Sequence, residues 1–296
     1  MDEKYRYIEF EFDSLDAQTS INATVASTDW PLFRLPRPLS NIAAMKILEV
    51  QIPFSYYVID TKNNTFTLTE SAGGGAQTVT LTPGNYTTTT MAVELKTRLE
   101  AASTNVYTYT VAINSSTGKY TVSNSSGVGT FTLTFGTVTR NADPSLILGF
   151  NAGANASNGS QVLVAPNFNQ LTGANYIYIN STRIGQLCNL YLPKGSVDGG
   201  EEGPQMAKIP VNVQPGGVIY WQDPAPQKWF DLADLSHLNN LDFFCTLGTR
   251  SNDDALRFNG VSFSLKVGFL VSKLENSQPL SGLGLNSNSK RVARPK

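Results

Sequence analysis

Apolar and polar residues alternate along most of this chain with the period of a β-strand. From Tyr5 to Phe12 the aromatics Tyr5, Tyr7, Phe10 and Phe12 recur at imperfect period two, which predicts a strand. Ile21–Val25 predicts a second, weaker one. Met45–Val58 is the strongest of the first part, with Ile47, Leu48, Val50, Ile52, Phe54, Tyr56 and Val58, and Pro53 is expected to bend it or mark an edge. Trp30–Pro38 holds three prolines. Each removes a ladder donor, so this segment is expected to be an extended arm or edge crossing and not a central strand. Past Ser160 the β pattern resumes. Tyr176–Asn180, Gln186–Leu192, Lys208–Val213, Val218–Gln222, Leu241–Leu247 and Val261–Val271 read as strands between Gly, Pro and Asp turns, with a polar loop at Asp198–Pro204. These and the earlier strands make about eight or nine, near the eight of a jelly roll.

Between Asn63 and Phe150 the pattern changes. Thr65–Thr69 and Thr78–Thr82 flank Gly73-Gly74-Gly75, a hairpin signature with glycines at the tip. Pro83-Gly84-Asn85-Tyr86 turns the chain into the one convincing helix, roughly Thr88 to Ala102. There Met91, Leu95 and Leu99 recur every four residues, and Glu94, Lys96, Arg98 and Glu100 lie off the stripe or at its margins. A threonine from Thr87 to Thr90 can cap it; with Thr90 as cap, Glu94 falls one place late for a capping box. Val106–Ile113 and Lys119–Ser123 form a second hairpin and Phe131–Phe135 a further strand, giving about five strands. Asn151–Ser160 is rich in Gly, Ala, Asn and Ser and reads as a linker or mobile loop. The fold class expected is mainly β: a jelly-roll β-sandwich with an inserted small α+β (ββαββ) module. The sandwich would be built from residues 1–61 and 167–296, the insert from 62–166, and a flexible basic tail from 276–296.

Composition narrows the function. Apolar residues are 41% of the 296 and charged residues only 15%, below the usual quarter of a soluble domain. Thr, Asn, Ser and Gly fill the difference, and such residues meet other protein surfaces without a charge-desolvation cost. The net charge of −1 does not favour an electrostatic nucleic-acid binder. Cys188 and Cys245 lie far apart and match no metal spacing; both read as small buried hydrophobes. Met1-Asp2-Glu3-Lys4 opens on charge, so no secretory leader is expected here. Synthesis in a cytosolic compartment would leave triplets such as Asn85-Tyr86-Thr87 unglycosylated.

Candidate chemistry is sparse. His237 is the only histidine. A Ser-His-Asp triad would need Asp231, Asp234 or Asp242 to orient it and a serine on a strained turn; the plainer reading is a polar residue in the loop Asp231–His237. Glu201-Glu202, Asp231/Asp234 and Asp253-Asp254 sit in loops where solvated charge is the default. A facing carboxylate pair, or calcium at Asn252-Asp253-Asp254, is the weaker reading. Gly73–Gly75 lacks the Lys-Ser/Thr of a phosphate loop. No cofactor and no metal are expected. Trp221 and Trp229 would stack a sugar or anchor a subunit, and core packing is the commoner fate. The subunit contact is the favoured functional reading, since no acidic or amide pair obviously accompanies the rings. In the tail, Lys290, Arg291, Arg294 and Lys296 form a cationic arm able to contact phosphates, or a solvated terminus.

Certain runs carry a resemblance. Lys46-Ile47-Leu48-Glu49-Val50-Gln51-Ile52-Pro53, Tyr57-Val58-Ile59, Asn63-Asn64-Thr65-Phe66, Pro83-Gly84-Asn85-Tyr86-Thr87 and Leu148-Gly149-Phe150 together resemble capsid proteins of icosahedral DNA viruses. The likeness is to penton-type vertex proteins of virophages, polinton-like viruses and adenovirus-like relatives. A similar Gly-Asn-Tyr-Thr helix module occurs in phage fibre-like proteins. The resemblance implies a virion protein, made in the host cytoplasm or nucleus, that forms pentamers at vertices beside a major capsid protein, with the 62–166 module projecting outward. Its implied partners are itself, that neighbouring major capsid protein, genome or inner membrane through the basic tail, and a host receptor. The chain lacks the Arg-Gly-Asp of some adenovirus pentons, so that receptor role is not carried over. Two alternatives stay open: a double-jelly-roll major capsid protein forming trimers, and a viral fibre or lectin-like receptor- or glycan-binding module. An enzyme is the least favoured reading.

Overall fold

The computed structural model describes residues 4–17, 19–20, 26, 29–124, 129–136, 144–187, 205–224, 229–247 and 255–273. In chain order it holds β1 (Tyr5–Asp13), β2 (Thr19–Ser20) and β3 (Pro31–Pro53). Then come β4 (Thr65–Glu70), β5 (Ala76–Thr80), helix α1 (Thr88–Ala102), β6 (Tyr109–Asn114), β7 (Lys119–Asn124) and β8 (Phe131–Phe135). A single helical turn α2 (Ser145–Leu148) precedes β9 (Gly153–Ala156) and β10 (Val162–Val164). The last part holds β11 (Tyr176–Asn180), α3 (Thr182–Leu187), β12 (Gln205–Pro210), β13 (Val218–Gln222), β14 (Phe230–Asp242), β15 (Phe244–Thr246) and β16 (Ser264–Ser272).

The large sheet runs β1-β16-β3-β13, with β14 and β2 also paired to β3; a small sheet runs β12-β11-β15. Alternate residues of both sheets close on one apolar core: Ile42, Val50, Ile52, Leu265, Val267 and Phe269 from the large sheet, and Ile177, Ile179, Ile209 and Cys245 from the small one. Two sheets facing one core make a sandwich, and the mainly-β class with a small α+β insert is the one observed. The first and last strands, β1 and β16, lie side by side in antiparallel register from Tyr5↔Ser272 to Asp13↔Ser264.

The spine is β3, 23 residues long. This corrects the expectation that Trp30–Pro38 is an arm. The prolines are accommodated by a break in register: Arg34 pairs with Asn240 and Leu39 with Leu238, so four residues including Pro36 and Pro38 oppose Asn239 alone. Proline cannot donate to a ladder and collects at such bulges. Pro31 lies at the first residue of the strand, another permitted place.

Residues Ile59 to Leu171 enclose a second core. Sheets β5-β4-β8-β9 and β10-β7-β6 pack with α1, which buries Met91, Ala92, Leu95 and Leu99. The predicted helix has the observed bounds. Its N-cap is Thr87, and the residue at N3 that bonds back is Thr90: Thr90 N donates to Thr87 Oγ1 at 3.2 Å and Thr87 N to Thr90 Oγ1 at 2.9 Å. A hydroxyl thus replaces the glutamate of the usual box. Glu94 instead accepts from Thr82 N at 2.7 Å and Arg98 Nε at 2.8 Å. Ile147 packs against both cores.

Three further expectations are corrected. Among the described residues the insert has seven strands, β4 to β10, not five. Gly153–Ala156, read as linker, pairs with β8 from Thr132↔Ala156 to Phe135↔Gly153, because small residues fit an edge strand as readily as a loop. Gln186-Leu187, read as the start of a strand, closes α3. The expected strand Ile21–Val25, the rest of Gln186–Leu192 with Cys188, the loops holding Glu201-Glu202 and Asn252-Asp253-Asp254, and the basic tail all lie outside the described residues.

Candidate subunit interface

One face of the large sheet is the core; the other presents side chains outward. Along β1, Ile8, Phe10 and Phe12 pack inward, so Tyr7, Glu9 and Glu11 stand on the outer face. Gly268 of β16 lies between Glu9 and Lys46 in register. Its missing side chain leaves the space Tyr7 occupies: a Cβ there would sit 2.9 Å from the Tyr7 ring. Tyr7 meets Trp229 edge-on with ring centroids 6.1 Å apart. Lys46 Nζ lies 5.7 Å from the Trp229 centroid and pairs with Asp223 at 3.0 Å. The lysine is 5% exposed, so carboxylate and ring together replace its lost hydration.

Next to this group, Tyr7 donates to Glu9 Oε1 at 2.6 Å, and Lys266 pairs with Glu9 Oε2 at 2.6 Å. Burial, and then the Glu9 carboxylate, push the Tyr7 hydroxyl well above its ordinary pKa. The Lys266 hydrogen bond, followed by that of Tyr7, holds Glu9 below the usual carboxylate range. The patch is fixed in shape and ion-paired, which suits docking of a protein surface.

The two tryptophans do not form one site. Trp229 belongs to this outer patch. Trp221 pairs with Val50 and packs against the sandwich core, on the other face of the sheet. Lys290, Arg291, Arg294 and Lys296 lie outside the described residues. Sequence reasoning misses Tyr7, Lys46 and Asp223; the available signal is a lysine inside the apolar run Met45–Ile52.

His237 is not in a loop, as expected, but in β14, exposed and opposite Ser40. Of the acidic residues that could orient it, Asp242 is buried and engaged elsewhere. Asp242 accepts from Trp30 Nε1 at 3.1 Å, Ser181 Oγ at 3.1 Å, Thr182 N and Oγ1 at 2.9 and 2.7 Å, and Arg183 N at 3.0 Å. It is the anchor of α3. A cleft of about 450 Å³ beside the proline bulge is lined by Leu32, Arg34, Leu35, Pro36, Asn239 and Asn240, among others.

In the insert, Glu70 is 4% exposed. It accepts from Ser103 Oγ at 2.6 Å, Tyr109 OH at 2.8 Å, Asn105 N at 3.1 Å and Asn105 Nδ2 at 2.8 Å. Burial alone would raise its pKa; the hydrogen bonds of Ser103, Tyr109 and Asn105 together bring it below the ordinary 4.5. A depressed folded value stabilises the fold fully above the unfolded pKa, and that contribution is lost as pH falls through the folded one. Acid titration from pH 7 should therefore weaken the insert below about 4.5, and Glu70→Gln should flatten that part of the curve, read by hydrogen exchange across β4 and β6. The network also pins Asn105 and Tyr107 on either side of Val106, a β-branched residue at φ 55 that is 87% exposed.

No curated protein sequence matches the chain. Among solved structures, it is similar to the mavirus penton protein at 10% identity over 89% of this chain and 99% of the other, with a TM-score of 0.48. It is likewise similar to a chain of the Sputnik virophage particle at 12% identity over 90% and 98%, with a TM-score of 0.41. Residues 23–193, more than half of the chain, match the model of a family of unknown function, DUF5901, and the chain belongs to that family.

Proposed function

We propose that this chain is a structural subunit of an icosahedral viral capsid, assembling with copies of itself as a pentamer at the vertex. The observation that supports it is architectural: a β-sandwich with an ordered aromatic and ion-paired outer face, interrupted by an α+β insert that closes a core of its own. On this reading residues 1–61 and 167–296 form the shell domain and 62–166 the projecting one, as the runs from Lys46 to Phe150 also imply by resemblance. Trp229, with Tyr7 and Lys46, contacts a neighbouring subunit or the major capsid protein. Lys290, Arg291, Arg294 and Lys296 contact genome or inner membrane, and the work of the protein is assembly, not catalysis.

One observation favours a second reading. Seven strands in two sheets bring the insert closer to a second roll than five would, and a double-jelly-roll major capsid protein would form trimers. Negative-stain imaging of the purified protein tests the shared claim. Closed rings of subunits are expected. Isolated monomers across salt and pH conditions would count against both readings.

A further inference from the structure

We infer that β13 is a docking edge, and that the strand it receives is β1 of a second copy of this chain. The inference rests on the self-assembly reading above. The hydrogen-bond phase of β13 follows from its ends. Phe54 N donates to Gly217 O and Asp223 N to Leu48 O, both at 2.9 Å. In an antiparallel ladder bonded and non-bonded pairs alternate. Between these ends, Ile219 and Trp221 therefore exchange bonds with β3, and Val218, Tyr220 and Gln222 do not. Pro53, which has no N–H, sits opposite Val218, as this phase requires. The N–H and C=O groups of Val218, Tyr220 and Gln222 consequently point away from β3. Among the described residues no strand pairs with β13 on that side. The same three residues are exposed, Val218 at 57% and Tyr220 at 55%. The edge carries no charge, no bulge and no internal proline, the devices that ordinarily guard an edge.

Among the described residues the sheet path ends on its other side at β1, and that strand matches. Lys273 N donates to Lys4 O and Ser14 N to Phe263 O, which fixes Tyr5, Tyr7, Glu9, Glu11 and Asp13 as the residues whose backbone points outward. On both edges the outward-pointing backbone belongs to outer-face side chains. Paired residues must share a face, so β1 of one copy adds to β13 of the next with both cores on the same side. The strands β1, β16, β3 and β13 alternate in direction, so the new pair is antiparallel. Charge selects this partner. Pairing β1 with β1 would oppose Glu9, Glu11 and Asp13 to one another, which is unfavourable, whereas β13 offers them an uncharged strand. The contact is head-to-tail, the kind that closes rings.

Tyr220→Pro tests it, because residue 220 gives no hydrogen bond to β3: the change removes an outward donor and an exposed ring while leaving the β3 ladder paired, and proline is tolerated where an edge N–H faces away from its sheet. The concentration for half-assembly, read by mass photometry, should rise about tenfold or more with circular dichroism and the melting temperature near wild type. Tyr220→Glu, facing the acids of β1, should weaken assembly more than Tyr220→Lys. Wild-type assembly by both Tyr220→Pro and Tyr220→Glu would overturn the edge and leave self-assembly standing. Equal loss with Glu and Lys would overturn β1 as the partner. A monomeric wild type would instead defeat the reading on which the inference rests.

Discussion

Asp242→Ala is expected to destabilise the sandwich by about 3–5 kcal/mol. The carboxylate is fully buried and joins three parts of the chain: Trp30 at the entry to β3, the 181–183 turn that opens α3, and its own strand β14. Two of its donors are the backbone N–H groups of Thr182 and Arg183, which have no intrahelical acceptor at a helix start. Alanine leaves these, the Trp30 indole N–H and two hydroxyls without an acceptor in a site closed to water. Asp242→Asn should cost less, since one oxygen remains. Urea melts of the two variants check this. Equal stability of Asp242→Ala and wild type would show that water reaches the site, contrary to its burial.

Phe135→Ala is expected to cost about 3–5 kcal/mol, with the loss confined to the insert. Phe135 is the middle ring of three: its centroid lies 5.0 Å from Phe66 and 5.3 Å from Phe150, nearly parallel to both. It is 2% exposed, so truncation leaves a cavity between two rings that β4 and the α2–β9 connection hold apart. Hydrogen exchange should show protection falling across β4, β6, β7 and β8 and persisting in β1, β3 and β16. A matching loss in β3 and β16 would mean that the two cores unfold together, with Ile147 as the bridge.

Local patterns are readable where the deciding contacts are local. The helix Thr88–Ala102 is legible to the residue because its stripe and its threonine cap are properties of one turn and its neighbours. β1 and β13 are legible from alternation. The proline run misleads: composition says that prolines leave a ladder, and only the partner strand shows that a four-residue bulge can hold two of them while pairing resumes on both sides. β14 misleads because Asp231, Ser236, His237 and Asn239 are exposed along a strand whose buried Leu232, Leu238 and Leu241 are spaced by bulges, not by two. The anchoring carboxylates are invisible. Glu70 and Asp242 draw donors from 33 to 212 positions away, and nothing in their own neighbourhoods marks them. Of the candidate contacts, Trp229 and Trp221 stand out as aromatic, but only the pairing of β13 with β3 turns Trp221 to the core, and only the contacts with Tyr7 and Lys46 put Trp229 on the outer face. The outward-pointing backbone at Tyr220 has no signature in composition at all.

The central claim is self-assembly of a vertex subunit, and native mass spectrometry of the purified full chain addresses it most directly. A pentamer of the 32.1 kDa chain is the predicted species. A trimer would contradict the vertex reading in favour of a major capsid protein, and a monomer at every salt and pH condition would contradict the capsid account itself.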